Sequence, residues 1–345
     1  MATDFFNTEK ESALKNRPKR ILVIQPAFMG DVVLATSLAE TLHKTFPSAA
    51  ISFLLKKGNE MLLKGHPFLE EVHVWDKGKS RYLNLLRLAK TIRSRNYDLV
   101  VNVQRFFSSG LLTTLSGAKE TRGFKKNPLS RLFSQSFAHE TNSGIHEIVR
   151  NHQLIADLCG PEPAMPRLYL LPADTERVKP YQNEPYVCIA PGSVWFTKTF
   201  PAAKWLELIA RIPGRYKIYL IGGPAEILLC DELAAASGGR CMNLAKEKLS
   251  LLQSAALMAG AVMNYVNDSG PMHLCSALGA PVTAVYCSTV PAFGFGPLSP
   301  VSHIVQIKEK LDCRPCGLHG HATCPLGHFS CAHEIDVSDF AGLEG

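Results

Sequence analysis

Residues 261–273 read Ala261-Val262-Met263-Asn264-Tyr265-Val266-Asn267-Asp268-Ser269-Gly270-Pro271-Met272-His273. The first six have the length and apolar character of a buried strand. Beyond the turn, Met272, Leu274, Cys275, Ala277 and Leu278 begin a packed helix. Asp268 or Ser269 is its expected N-cap, and Pro271 falls in the first turn, where a missing N–H costs nothing. A strand that turns through Ser-Gly into a helix leaves backbone N–H groups and the positive dipole end facing outward, which suits a phosphate. An ordinary well-capped turn has the same sequence, so this stretch establishes an α/β unit and leaves its ligand open.

The same unit recurs on both sides. In the first half, buried strands are expected at 20–25, 51–55, 72–75 and 97–103, with a helix after each of the first two and another over 81–95. On the first helix Leu34, Leu38, Thr41, Leu42 and Thr45 share one face. Residues 121–140 are basic and irregular and read as loop, and a helix is expected at 145–159. Pro161, Pro163, Pro166, Pro172, Pro180 and Pro185 then mark a linker, with a short strand at 167–171. In the second half, strands are expected at 186–190, 217–221, 261–266 and 282–286, and helices at 202–212, 225–236, 249–259 and 272–278. Such alternation predicts mostly parallel, doubly wound sheets. The 345 residues suffice for two cores. The expected fold is therefore α/β, with two Rossmann-like domains, 1–175 and 176–345, facing across a cleft at the carboxyl ends of their strands.

Charge separates the halves. The chain carries +7, yet residues 1–170 hold 24 Lys+Arg against 15 Asp+Glu while residues 171–345 hold 13 against 15. A basic first half suits an anionic, extended partner such as a nucleic acid, an anionic lipid surface or a phosphorylated glycan. No nucleic-acid-binding motif accompanies the charge, so nucleic acid is not expected. The first 20 residues, with Lys15, Arg17, Lys19 and Arg20, contain no apolar signal segment. The uncharged run 249–266 is interrupted by Gly260 and too polar to span a bilayer, so a cytoplasmic or peripheral protein is expected.

Ten cysteines fall into two groups. Cys159, Cys188, Cys230, Cys241, Cys275 and Cys287 are scattered, mostly among apolar neighbours, and read as reduced core thiols. Cys313, Cys316, Cys324 and Cys331 are clustered, with His319, His321, His328 and His333 interleaved. The Cys313-x2-Cys316 pair has zinc-ligand spacing, and the four thiols suit a structural tetrahedral site. The alternatives are unligated thiols, or disulfides formed on oxidation.

Neither half has the Gly-x-Gly-x-x-Gly turn of a dehydrogenase or the phosphate loop of an NTPase. Three other strand-end turns carry polar groups. Gly30-Asp31 places a carboxylate where it serves as a general base or as a helix cap. In the loop 190–201, Ser193, Thr197 and Lys198 can grip a diphosphate. Glu226, after Gly222-Gly223-Pro224, can accept ribose hydroxyls or simply favour a helix dipole.

Taken in order, Pro26-Ala27-Phe28-Met29-Gly30-Asp31-Val32-Val33-Leu34-Ala35-Thr36, Pro191-Gly192-Ser193 with Thr197-Lys198 and Pro201, Gly222-Gly223-Pro224, and Asn267-Asp268-Ser269-Gly270-Pro271-Met272-His273-Leu274 resemble the motifs of the glycosyltransferase family 9 heptosyltransferases of lipopolysaccharide inner-core assembly. The resemblance runs from about residue 20 to residue 331. Phe200 stands where the family commonly has tryptophan, and residues 289–297 match its donor-sugar loop loosely. The clustered cysteines are similar to those of the heptosyltransferase II branch.

The resemblance implies the GT-B architecture and inverting, metal-independent transfer of heptose from ADP-heptose, with no cofactor beyond the donor. By matching positions it makes Asp31 the base, beside Gly30. Ser193, Thr197 and Lys198 would hold the diphosphate and Glu226 would face the ribose. Asp268, Ser269, Gly270, Met272 and His273 would form the loop and helix start beside the phosphates and donor sugar. The implied acceptor is a lipid-anchored anionic glycan at the inner face of the cytoplasmic membrane. It would be met by the first domain, where the candidates are Lys56, Lys57, Lys64, Lys77, Lys79, Arg81, Arg105, Arg122, Lys125, Lys126 and Arg131. Transfer of another nucleotide-activated sugar, epimerisation of a sugar nucleotide, and non-catalytic binding of nucleotide or glycan are the alternatives.

Overall fold

The computed structural model describes residues 17–78, 80–140 and 143–340; Lys15 and Lys79, read above, lie outside the described residues. The first sheet comprises β1 (Arg20–Ile24), β2 (Ala50–Lys56), β3 (Leu69–Trp75), β4 (Leu99–Asn102), β5 (Glu120–Phe124) and β6 (Gln135–Phe137), in the order β3-β2-β1-β4-β5-β6. The second comprises β7 (Tyr186–Ala190), β8 (Lys217–Leu220), β9 (Cys241–Asn243), β10 (Met263–Asn267), β11 (Val282–Tyr286) and β12 (Ser302–Gln306), in the order β12-β11-β10-β7-β8-β9. Every pairing in both sheets is parallel. Parallel neighbours need crossovers, and these are mostly helical. They include α1 (Met29–Thr45), α2 (Arg81–Ser94) and α3 (Phe107–Leu115) in the first half. Helices on both faces explain why Ile21, Leu22, Val23 and Ile24 run without a polar residue and are wholly buried.

A helix was expected at 145–159 and a proline-marked linker after it; the helix is broken in two, and the linker itself holds a short α-helix. Residues 145–159 divide into α4 (Glu147–His152) and α5 (Ala156–Cys159), and α6 (Pro172–Val178) starts on a proline. The second half continues with α7 (Ala202–Arg211), α8 (Ile227–Ala236), α9 (Leu251–Ala259), α10 (Gly270–Leu278) and the short α11 (Ser330–His333). No strand forms at 167–171. The chain entering it is instead held by α1 side chains: Ala164 N–H donates to Thr41 Oγ1 and Arg167 N–H to Thr36 Oγ1, each at 2.9 Å. α6 packs on α9 and α1 on α10, so one apolar cluster runs from Ile21 and Val32 to Leu252 and Leu274 and joins the halves.

Residues 121–140, read as loop, contain β5 and β6. Their pattern is hidden because β5 buries Arg122, whose guanidinium pairs with Asp157 and with Glu120 at 2.6 Å. Arg122 is thus structural and is not an exposed contact for a partner. Among the described residues all ten cysteines are free, and no helix is long and apolar enough to cross a membrane.

Candidate active site

β1 and β7 are the strands at which each sheet's order reverses, and both lead into loops facing one cleft. That cleft measures about 980 Å³ out to open solvent. Phe28, Met29, Gly30 and Asp31 line one wall, and Ser193, Trp195, Lys198, Asp268, Ser269, Gly270 and His273 line the other. The N-terminal ends of α1 and α10 meet across it. A Cβ at Gly30 would stand 2.5 Å from His273 Cδ2, and one at Gly270 would collide with the tip of Met29. Close approach of the two helices therefore demands glycine at 30.

Asp31 lies in the first turn of α1, with Phe28 as N-cap. Burial raises its carboxyl pKa above the ordinary 3.8, and backbone N–H groups of Phe28 and Asp31, with the charges of Lys56 and Lys198, offset this only in part. The result is a carboxylate with increased proton affinity, facing cations, at the mouth of a strand.

The opposite wall is organised by the end of β10. Asn267 donates through Nδ2 to Pro191 O at 2.8 Å and Gly192 O at 3.1 Å, and its Oδ1 accepts from Phe200 N–H at 2.9 Å. The backbone of the loop after β7 is thereby fixed. Asp268 Oδ2 then holds Lys198 Nζ at 2.7 Å while accepting from the Thr289 hydroxyl at 2.6 Å. Asp268 is therefore placed to aim the lysine. A bare carboxylate would repel phosphate.

Ser269 is the N-cap of α10, as one of the two expected candidates, but its side chain does not cap. It donates to Asn267 O at 3.3 Å, so the N-terminal end of α10 carries no side-chain cap and opens on the cleft. His273 is buried, and its Nδ1 has no hydrogen-bond partner in the protein. Burial pushes its pKa down to about 4, although Asp268 pulls the other way, so the ring is neutral at pH 7.

Three expected residues lie elsewhere. Thr197 is buried, and its hydroxyl faces inward, accepting from Ser288 Oγ at 3.0 Å and from His321 N–H at 2.7 Å. Met272 is fully buried, with its sulfur 3.3 Å from the Tyr286 hydroxyl. Neither reaches the cleft. Glu226 stands at the end of β8 outside the lining, packed on Gly192 and Gly222, with Oε2 accepting from Gly223 N–H at 2.7 Å.

Other lining residues were not among the expected site residues, although residues 289–297 were matched loosely to a donor-sugar loop and His319 was noted among the clustered cysteines. Phe293 and Phe295 come from the loop after β11, which α4 grips from the first half. Arg150 Nη2 donates to Phe293 O at 2.8 Å and pairs with buried Glu147 at 2.6 Å, and Glu147 N–H donates to Gly294 O at 2.7 Å. Leu318 and His319 come from the cysteine-rich segment. Arg314 ties this segment to Cys287 O at 2.7 Å and Thr289 O at 2.7 Å, and Cys316 N–H donates to Ser288 O at 2.9 Å. The segment is thus a strap beside Lys198.

The strap's four thiols gather at one place: burial raises the Cys331 pKa, and the nearness of Cys316, Cys313 and Cys324 adds to the rise. Against a burial penalty, backbone N–H groups of Phe329, Leu326, Gly327 and His328 lower the Cys324 pKa, which favours thiolate. Cys316 Sγ, however, donates to Cys313 O at 3.1 Å, and no group of three or more His, Cys, Asp or Glu among the described residues is placed to hold a metal ion.

Residues 85–325 match the family model described as glycosyltransferase family 9 (heptosyltransferase). The chain is 26% identical over 315 residues to lipopolysaccharide heptosyltransferase 1 of Pseudomonas aeruginosa, covering 86% of each chain. It is 25% identical over 308 residues to lipopolysaccharide heptosyltransferase 2 of Escherichia coli, covering 84% of this chain and 87% of that one. Its fold is similar to the solved structure of E. coli ADP-heptose lps heptosyltransferase II, with a TM-score of 0.73 at 24% identity, over 86% of this chain and 95% of that one. Two facing Rossmann-like halves are the GT-B arrangement.

Proposed function

Because the chain belongs to glycosyltransferase family 9 (heptosyltransferase), we propose that its cleft transfers heptose from ADP-heptose to the inner core of lipopolysaccharide, by a single inverting displacement that needs no metal. The observation that carries this reading is the placing of Asp31 and Lys198 on opposite walls of one cleft, near enough for the lysine charge to act on the carboxyl. Asp31 takes the proton of the acceptor hydroxyl as the oxygen attacks the anomeric carbon. The bond to ADP breaks on the opposite face, and Lys198 and the N-terminal end of α10 meet the charge developing on the diphosphate. Ser193 adds a hydroxyl donor, His273 a neutral ring at the donor sugar, and Glu226, outside the lining but packed on Gly192 beside Ser193, a carboxylate for a ribose reaching past that edge. Asp268 positions Lys198.

In this reading residues 1–175 bind the acceptor and residues 176–345 the donor. The acceptor is a lipid-anchored, anionic glycan at the inner membrane face, met by exposed Lys77, Arg105, Lys125, Lys126 and Arg131. The names of the relatives support both substrates. The test is a panel of nucleotide sugars offered with a delipidated inner-core acceptor, with the product's anomeric configuration read by NMR. ADP-heptose should be the preferred donor, and the new linkage should have the configuration opposite to the donor's. Preference for another nucleotide sugar, or retention of configuration, would overturn the proposal.

A further inference from the structure

The loops that follow β4 and β5 leave the first sheet at the same edge as Asp31, and they are stapled to each other. Buried Asn127 donates through Nδ2 to Gln104 O and Phe106 O, each at 3.0 Å, and its Oδ1 accepts from Leu129 N–H at 3.0 Å. Gly110 leaves room for that amide, which a side chain there would displace. One fixed surface results, carrying large apolar side chains that touch little. Phe106 is 57% exposed, Phe107 56% and Leu132 66%. At the start of α2, which packs beside α3, Tyr82 and Leu83 are 66% and 58% exposed.

Cations prevail around Phe106, Phe107 and Leu132, while Asp76 lies near the start of α2. Residues 121–139 contain no Asp or Glu, and Lys125, Lys126 and Arg131 are exposed there. Arg105 lies over the Phe106 ring at 5.4 Å and Arg81 over Tyr82 at 4.6 Å. Aromatic and aliphatic tips interleaved with cations match a bilayer interface, where rings and leucines enter the headgroup layer and cations meet anionic lipids. A single-stranded nucleic acid would favour rings presented for stacking over projecting leucines.

We propose that this rim, centred on Phe106, Phe107 and Leu132, docks the protein on an anionic phospholipid surface, with the mouth of the cleft at the membrane. This rests on the reading that the acceptor is lipid-anchored. Docking would bring Asp31 to the plane in which a lipid-held glycan is presented.

Vesicle co-sedimentation tests it, using phosphatidylglycerol/phosphatidylethanolamine vesicles against pure phosphatidylcholine, with wild type and Phe106→Ser/Phe107→Ser/Leu132→Ser. Serine suits position 106, the N-cap of α3, so the helix is retained. An unchanged ADP-induced thermal shift would verify the variant's fold. Wild type should partition onto the anionic vesicles, and both the variant and high salt should weaken this about tenfold or more. Transfer to a water-soluble, delipidated acceptor should be unchanged in the variant, while transfer to a vesicle-embedded acceptor should fall. Equal partitioning of variant and wild type would overturn the proposal, as would wild type that ignores vesicles or prefers a single-stranded oligonucleotide. Loss of the soluble-acceptor reaction in wild type would instead overturn the proposed function, and vesicle binding would still be read independently.

Discussion

Burial raises the proton affinity of Asp31 while Lys56 and Lys198 lower it. Replacing Lys56 removes one of the charges that favour the carboxylate, so in Lys56→Met the Asp31 pKa rises further. The acid limb of kcat against pH should then move to higher pH, since the base must be ionised to act. A limb that moves to lower pH would detach Asp31 from that role. A methyl at Gly30 meets the buried His273 ring, whereas one at Gly270 meets only the flexible end of Met29. Gly30→Ala should therefore cost about 1–3 kcal/mol of overpacking and open the helix contact, and Gly270→Ala less, as read by thermal unfolding together with kcat. Asp31, Lys198 and His273 could be placed at the cleft from the sequence because each lies in the loop or helix start that follows a central strand. The inward hydroxyl of Thr197 was not, since its partners, Ser288 and His321, are distant in the chain.

Among the elements, α4 is the one whose role the sequence hid. Glu147 and Arg150 are spaced like a solvated helix pair, yet both are buried and clamp the loop after β11. Arg150→Met leaves Glu147 buried without its cation, and burial already raises that carboxyl's pKa. A loss of about 3–5 kcal/mol is expected from urea unfolding, with part regained in Glu147→Gln/Arg150→Met. A loss below about 1 kcal/mol would show the clamp to be slack. Central strands were readable because helices on both faces force unbroken apolar runs. The peripheral β5, β6, β9 and β12 were not: β6 and β9 have three residues each, β5 buries a paired arginine, and β12 is an edge strand whose first three residues are exposed. The extended segment at 167–171 has strand-like residues, but Arg167 N–H is spent on Thr36 of α1 and Leu171 N–H on Asp174 of α6.

At the scale of the whole molecule, two parallel sheets and one cleft were predicted from the alternation of strand and helix, whereas two separate cores were expected and one apolar cluster joins the halves. The strap beside Lys198 was read only as a metal site, unligated thiols or disulfides. The molecule as a whole should also be acid-sensitive. His66 and His273 are buried, with pKa values pushed down by burial from 6.5 to about 4. The unfolded chain therefore takes up protons first, and stability that is complete above about pH 6.5 is lost progressively as pH falls toward 4. Thermal unfolding across that window should show a falling Tm, with a shallower slope in His66→Leu; an unaltered slope would assign the sensitivity elsewhere.

The most direct measurement is heptose transfer from ADP-heptose to a truncated inner-core acceptor in the presence of EDTA, comparing wild type with Asp31→Asn and measuring ADP affinity for both. Wild type should transfer in EDTA, and the variant should lose about 10²–10⁴-fold in kcat at unchanged ADP affinity, the range for removal of a general base. A variant that turns over at the wild-type rate would contradict this mechanism and leave Asp31 as part of the α1 cap.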